Sequence, residues 1–307
     1  MKVVITGSAG MLGREIVEAW GRLRPQDILI PLTREILDLS NGEAVEQFVA
    51  HEKPDLIVHT AALVRGISER LAHPTRFLVD NVLIDAHVIN SARTNGVKNF
   101  IYMSSAAIYP EADDAIFIEK DILSGPMERA SESYGLAKLV GTTLCSAISQ
   151  EDGLNYRALI PCNIFGREPL SENATSHLLG AALSKTMAAV RDGGPVEIWG
   201  DGTSRREFVA ATDIAEWIAS SADNFGAWHP IMNIGLGEDH SITEYYRWAA
   251  EVVGYTGDFV FASDKPNGVR RRLLDSSLAR ALGWNPQQKP KTGLQWLFDA
   301  REDSSSG

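Results

Sequence analysis

Only two cysteines, Cys145 and Cys162, occur in the 307 residues. Their spacing fits neither a disulfide framework nor a metal-ligand motif. No apolar run is long enough to cross a bilayer. The opening Met1-Lys2-Val3-Val4-Ile5-Thr6 meets glycine too soon to read as a secretory leader. Internal repeats and low-complexity linkers are absent. Positive charge is in the minority, with 29 Lys and Arg against 40 Asp and Glu and a formal net charge of -11. That balance argues against broad nucleic-acid binding, so an anionic ligand would need a local basic pocket. The cytoplasm is the expected compartment, with neither membrane nor nucleic acid as partner and no metal.

What is present is the balance of a soluble enzyme, 44% hydrophobic and 22% charged. Short apolar runs at Val3–Thr6, Ile28–Leu32, Leu56–Thr60, Phe100–Met103 and Tyr156–Ile160 read as buried strands. Stretches near 11–22, 42–52, 75–95 and 132–151 between them read as helices. Alternating strands and helices imply right-handed crossovers and a parallel sheet covered on both faces. The expected fold is therefore α/β, a doubly wound parallel (Rossmann) sheet.

After Pro161 the rhythm changes. A helix is expected at about 176–192, a short strand at Val196–Trp199, a helix near 212–224, and a strand at Ile231–Ile234 that can return to the main sheet. A smaller α/β substrate-binding domain would then be formed by insertions and the C-terminal part. The expected division gives residues 1–163 and about 206–236 to the cofactor domain, and about 164–205 and 237–300 to the substrate domain. Residues 301–307 are expected to be a flexible tail.

The first strand runs into Gly7-Ser8-Ala9-Gly10-Met11-Leu12-Gly13 and then an amphipathic helix. Glycines here allow a tight turn, close approach of backbone to a pyrophosphate, and tight helix–strand packing. The helix start offers free N–H groups and a favourable dipole to that charge. An NAD site usually ends the second strand with Asp or Glu on the ribose 2′-hydroxyl. This strand ends Pro31-Leu32-Thr33-Arg34, and Arg34 suits a 2′-phosphate or is a solvated surface arginine. Asp38 is placed to contact adenine or to cap the next helix. NADP(H) is the expected cofactor. The candidate cofactor set is Gly7, Ala9, Gly10, Met11, Leu12, Gly13, Arg34, Asp38, Ala61, Ala62 and Lys138.

Tyr134 and Lys138 stand four apart, on one face of a helix. An ammonium beside a phenol favours the phenolate, so Lys138 is expected to lower the proton affinity of Tyr134. Tyr134 can then exchange a proton with a sugar oxygen while hydride moves to or from nicotinamide. Ser105 follows the fourth strand, at the sheet edge where such folds bind ligands, and can hold the same oxygen.

At these residues the chain resembles the extended short-chain dehydrogenase/reductase family, and within it the GDP-L-fucose synthases. The likeness runs from Lys2 to about Phe298. It is carried by Gly7–Gly13, Ser104-Ser105-Ala106-Ala107-Ile108-Tyr109-Pro110 and Tyr134–Lys138. Further along it is carried by Ser176-His177, by Gly202-Thr203-Ser204-Arg205-Arg206-Glu207-Phe208, and by Lys265-Pro266-Asn267-Gly268 with Arg271-Arg272-Leu273-Leu274-Asp275.

The resemblance implies that Ser105, Tyr134 and Lys138 carry a reduction and that His177 is an acid/base group of an epimerisation. It implies a nucleotide-diphosphate sugar as substrate, GDP-linked, held by Asn163, Lys185, Trp199, Arg206 and Arg271. A homodimer through the helices at roughly 76–95 and 132–151 is implied as well. Cations suit a diphosphate and Trp199 suits a stacked base, although Trp199 also fits a core position.

The chain departs from the family at Ala107, where the epimerising enzymes carry a cysteine. Alanine moves no proton, so the leading expectation is reduction of a 4-keto group with 3,5-epimerisation weak, lost or rebuilt. Cys162, after the fifth strand, is either a substitute thiol or a small buried side chain. Arg65 and the loop 166–175 depart as well, and both can reshape sugar recognition. Two other readings stay open: a nucleotide-sugar 4-epimerase retaining NAD, and a dinucleotide-binding protein without chemistry.

Overall fold

Alternating side chains of the first strands serve both faces of one sheet, and this decides the layering. In a computed structural model, residues 1–167, 178–262 and 269–305 are described, with side chains to residue 300. The first half contains β1 (Lys2–Thr6), α1 (Met11–Leu23), β2 (Ile28–Leu32), α2 (Gly42–Glu52), β3 (Leu56–His59), α3 (Ile67–Ala72), α4 (Pro74–Thr94), β4 (Asn99–Met103), β5 (Ala115–Phe117), α5 (Glu132–Asp152) and β6 (Asn155–Pro161). The second half contains β7 (Asn163–Phe165), α6 (Leu178–Asp192), β8 (Val196–Trp199), β9 (Arg205–Ala210), α7 (Ala211–Ser220), β10 (Ile231–Ile234), β11 (Asp239–Ser241), α8 (Ile242–Val253), β12 (Phe259–Ala262), β13 (Arg271–Leu274), α9 (Ser277–Arg280) and α10 (Pro290–Ser305).

Six parallel strands form the main sheet in the order β10-β6-β4-β3-β1-β2. Val3 and Ile5 face α1 and α7 through Ile16, Ile214 and Ile218. Val4, Ile57 and Phe100 face α2, α4 and α5 through Val49, Ile89 and Ile148. A sheet buried on both sides needs such runs without polar interruption. The doubly wound expectation holds, and the Ile231–Ile234 strand does return to this sheet, beside β6.

From β1 the chain steps one way to β2 and then back across to β3. This switch opens a crevice at the carboxyl ends of β1 and β3, where open α/β sheets bind ligands. A second sheet, β11-β9-β13-β5 with β7 beside β9, borders that end, and β12 pairs with β8. A separate apolar cluster joins α6, α8 and α10 to β8 and β9 through Leu183, Tyr245, Leu294, Ile198 and Phe208. The capping box Ser241/Glu244 starts α8, and Gly254 in the left-handed region ends it.

Candidate active site

The glycine loop is shaped by contact between the turns after β1 and β3. Gly7 has φ +67°, and a Cβ there would lie 2.7 Å from the Ala61 nitrogen. A Cβ on Gly13 would lie 2.2 Å from the Gly7 carbonyl oxygen. No side chain caps α1 at Gly10, and its first turn carries no acidic residue. Among the described residues the first N–H groups of α1 therefore face the crevice free for an anion, beside exposed Ala9 and half-buried Met11, while Leu12 is buried beneath them. A dinucleotide pyrophosphate fits this cradle, whose shape a side chain on Gly7 or Gly13 would break by striking the backbone at Ala61 or Gly7.

Ala61 is tied to β1 by its N–H, which donates to Thr6 Oγ1 at 3.3 Å. Ala62 follows it, half-buried, at the same edge. Arg34 is exposed two residues beyond β2. Asp38 does not cap the next helix. Its carboxylate accepts from the Ser40 N–H and hydroxyl at 3.0 and 2.8 Å, which together with the nearby Arg34 hold its pKa down. The cap of α2 is Asn41, whose side chain accepts from the Ala44 N–H at 3.2 Å.

Ser105, Tyr134 and Lys138 converge at the carboxyl end of β4. Ser105 opens a short 3-10 turn and accepts from the Ala107 N–H at 3.2 Å. Tyr134 is 8% exposed and Lys138 is 2% exposed. The Lys138 ammonium lies 3.3 and 3.4 Å from the two carboxylate oxygens of Asp85, on α4. Asp85 also accepts from His59 Nε2 at 3.0 Å and from the Tyr102 hydroxyl. His59 Nδ1 meets Thr6 Oγ1 at 2.7 Å. With the proton on Nε2 and the Thr6 hydroxyl donating to Nδ1, every group in this buried string is satisfied.

Lys138 favours the phenolate as expected, but in the chain without ligand its effect is outweighed. Burial pushes the Tyr134 hydroxyl up, and its proton is held more tightly than in free tyrosine. Lys138, Arg70 and the Ser105 hydroxyl favour the phenolate, while Asp85 opposes it. Sequence reasoning saw the ammonium but not the carboxylate behind it.

The basic pocket expected for an anionic ligand lies next to Tyr134. The Arg70 guanidinium, on α3, sits 6.0 Å from the Tyr134 ring centroid. Arg70, Arg206 and Arg272 repel one another through Arg272 and share one neighbouring carboxylate, Glu128, 3.5 Å from Arg272. The Nε atoms of Arg70 and Arg272 are buried without a partner among the described residues. Arg206 donates to the Arg205 and Val269 carbonyls at 2.8 and 2.7 Å. Arg271 instead donates to Asp239 at 2.5 Å and lies 3.4 Å from Asp114. Arg70, Glu128 and Arg272 were not singled out as site residues in the sequence. A basic residue adjacent to Arg271 was the one available signal.

Trp199 is 53% exposed, so it is no core residue. The Lys185 ammonium sits 5.3 Å from its ring centroid and donates to the Glu197 carbonyl at 2.8 Å. Asn163 is exposed on β7 and donates to the Glu207 carbonyl at 2.9 Å. Cys162 is buried, with its thiol pushed well up by burial and by Glu207, the behaviour of a packed side chain and not of a proton acceptor. His177 and the motif pieces Ser176 and Lys265–Gly268 lie outside the described residues. Among the described residues no three His, Cys, Asp or Glu gather to hold a metal ion, and no helix is long and apolar enough to cross a membrane.

Residues 3–235 match the model of the NAD dependent epimerase/dehydratase family. The chain belongs to that family, the extended short-chain dehydrogenase/reductases. It is 39% identical over 298 residues to a GDP-L-fucose synthase of Azorhizobium caulinodans, covering 97% of this chain and 95% of the other. It is 36% identical over 296 residues to a GDP-L-colitose synthase of Yersinia pseudotuberculosis, covering 96% of each. Among solved structures, the GDP-mannoheptose C4 reductase of Campylobacter jejuni with NADP bound superposes with TM-score 0.88 and 28% identity over 98% of both chains.

Proposed function

We propose that this chain reduces the 4-keto group of a GDP-linked deoxy sugar with NADPH, without epimerising the flanking carbons. The observation that carries this reading is the buried Tyr134, with Ser105 and Lys138, at the crevice of the glycine loop. NADPH, held by the α1 N-terminus with Arg34 toward its 2′-phosphate, supplies the hydride when bound. Ser105 orients the sugar carbonyl, and Tyr134 delivers a proton to its oxygen as the carbon is reduced. The emerging phenolate is stabilised by the Lys138 ammonium.

We assign the diphosphate to Arg206 and Arg272, two cations from adjacent strands beside the site. Trp199 gives the base an exposed stacking surface, with Lys185 and Asn163 lining the approach. Arg271 holds its strand edge through Asp239. The relatives named above support GDP as the nucleotide. Ala107 supports reduction alone, because the thiol that would move a proton at the flanking carbons is missing.

The division into a cofactor unit of residues 1–163 and about 206–236 and a substrate unit from the rest is part of the same proposal; the cluster of Leu183, Tyr245 and Leu294 supports it, whereas Leu274, Ala279 and Trp284 pack with the cofactor unit. A cytoplasmic homodimer belongs to the same proposal. Val79 and Leu83 on α4, with Leu136 and Val140 on α5, are 38–45% exposed and form an apolar face for a second copy.

Incubation with NADPH and GDP-4-keto-6-deoxymannose in D2O tests the reaction. Reduction at the 4-position with no solvent deuterium at C3 or C5 is expected. Tyr134→Phe is expected to lower the rate by about 10²–10⁴-fold while NADPH binding persists. Full turnover in that variant, or deuterium at either flanking carbon, refutes the proposed chemistry.

A further inference from the structure

Glu197 and Trp199 stand two apart on β8, so their side chains share one face of the strand, and both are exposed. Val196 and Ile198 point the other way, into the apolar cluster with α6 and α8. The Trp199 indole N–H donates to Glu197 Oε1 at 3.0 Å, which sets the carboxylate at the edge of the ring. Among the described residues that is the one hydrogen bond this carboxylate accepts, and it has no ion-pair partner. The Lys185 ammonium donates instead to the Glu197 backbone carbonyl at 2.8 Å and lies 5.3 Å from the indole centroid. A carboxylate has about four acceptor sites, so most of its capacity is left beside a flat, exposed ring. On β12, Val260 and Ala262 pair with Glu197 and Trp199 and continue the face without a side-chain donor.

A base lying flat on the indole meets this carboxylate with its edge. Guanine carries N1–H and a 2-amino group side by side, two donors that a carboxylate accepts as a fork. Adenine and cytosine place an unprotonated ring nitrogen beside their amine, and uracil flanks its N3–H with two carbonyls. Each of these turns a lone pair toward the carboxylate, and that repulsion discriminates as much as the attraction does. The turn 200–204 carries the chain from Trp199 to Arg206, to which the diphosphate is assigned above. The two ends of a nucleoside diphosphate therefore meet consecutive strands, β8 and β9.

We infer that Glu197 is a specificity-determining residue that selects guanine, its carboxylate accepting from N1–H and the 2-amino group of a base stacked on Trp199. The inference rests on the proposal that Trp199 stacks the base of the nucleotide sugar, and it adds the group that tells one base from another.

The test is calorimetric titration of the full-length protein with GDP, IDP and ADP, with NADP⁺ in excess so that ADP cannot occupy the cofactor loop. IDP keeps N1–H and lacks the 2-amino group. The wild type is expected to bind GDP at least about tenfold tighter than ADP, with IDP between them. Glu197→Gln keeps an oxygen for the indole N–H but turns an amine toward the base. It should raise the Kd for GDP by about tenfold or more, the loss of a charge-assisted pair, and leave ADP no weaker. Trp199→Ala should weaken all three nucleotides together. A wild type that binds ADP as tightly as GDP overturns the inference without recourse to any variant, and removes GDP as the nucleotide. A Glu197→Gln protein that keeps the full preference for GDP also overturns it, reducing Glu197 to a prop for the indole while the GDP reading stands. GDP binding unchanged in Trp199→Ala defeats the stacking proposal and this inference with it.

Discussion

Adjacent residues on a strand point to opposite faces, and at Arg271 and Arg272 this separates two fates for the same guanidinium. Arg271 is neutralised by Asp239 and Asp114, and Asp239 is further held by Arg205 at 2.8 Å. Arg272 is half-buried near Arg206 and Arg70, with Glu128 at 3.5 Å and Glu111 as the counter-charges acting on it among the described residues. Arg272→Met is expected to raise KM for the GDP-sugar by roughly 10–100-fold, the loss of a charged hydrogen bond worth about 1.5–3 kcal/mol. Arg271→Met should leave KM within about twofold, well below that range, and lower the melting temperature instead. Steady-state kinetics and a thermal melt on both variants separate the two roles.

Elements are held in place at this site by close backbone approach and by one buried carboxylate. Gly13 lets α1 sit against the loop after β1, where a methyl group would strike the Gly7 carbonyl. Gly13→Ala is expected to abolish NADPH binding, measured by fluorescence titration, in a protein that still folds. Glu207, on β9, ties that strand to the Gly237 N–H at 2.7 Å and to the Leu274 N–H of β13 at 3.0 Å. Burial nonetheless pushes its carboxyl up to about 7.

The folded state thus binds the Glu207 proton more tightly than the unfolded chain does. The stability gained from that proton is present in full below the unfolded pKa and is lost as pH rises through the folded value. Between about pH 4.5 and 7 this group alone lowers stability by roughly 3 kcal/mol. In Glu207→Gln an amide N–H faces a backbone N–H, at a cost of about 1–3 kcal/mol. Denaturant melts should find the wild type more stable than the variant at pH 5, with the gap narrowing by pH 7.5. A gap that widens with pH would refute the titration.

For the whole molecule, the apolar face of α4 and α5 lies on the side of the sheet away from α1 and α7. Dimerisation there would bury Val79, Leu83, Leu136 and Val140 without blocking the crevice at the strand ends. Native mass determination is expected to find a dimer in the wild type. Leu83→Glu with Val140→Glu should give a monomer that keeps its fold, because these side chains already face solvent within one chain. A wild-type monomer at micromolar concentration would remove this assembly.

The order of strands and helices in the first half was legible in the sequence because its signals are local. β1 to β4 and β6 are apolar runs bounded by turn residues, and the glycine loop and the Tyr134–Lys138 spacing lie within single segments. The second sheet was not legible. β5, β7 and β11 are three residues long, too short to express a period, and pair with strands up to about 160 residues away. The candidate site divides the same way. Sequence alone put a phenol and an ammonium on one helix face. Only the tertiary structure brought Asp85 from 53 residues away against Lys138, gathered Arg70, Arg206 and Arg272 around Glu128, and sealed Tyr134 from water. Proton affinity depends on burial and on distant charges, and neither is a property of a segment.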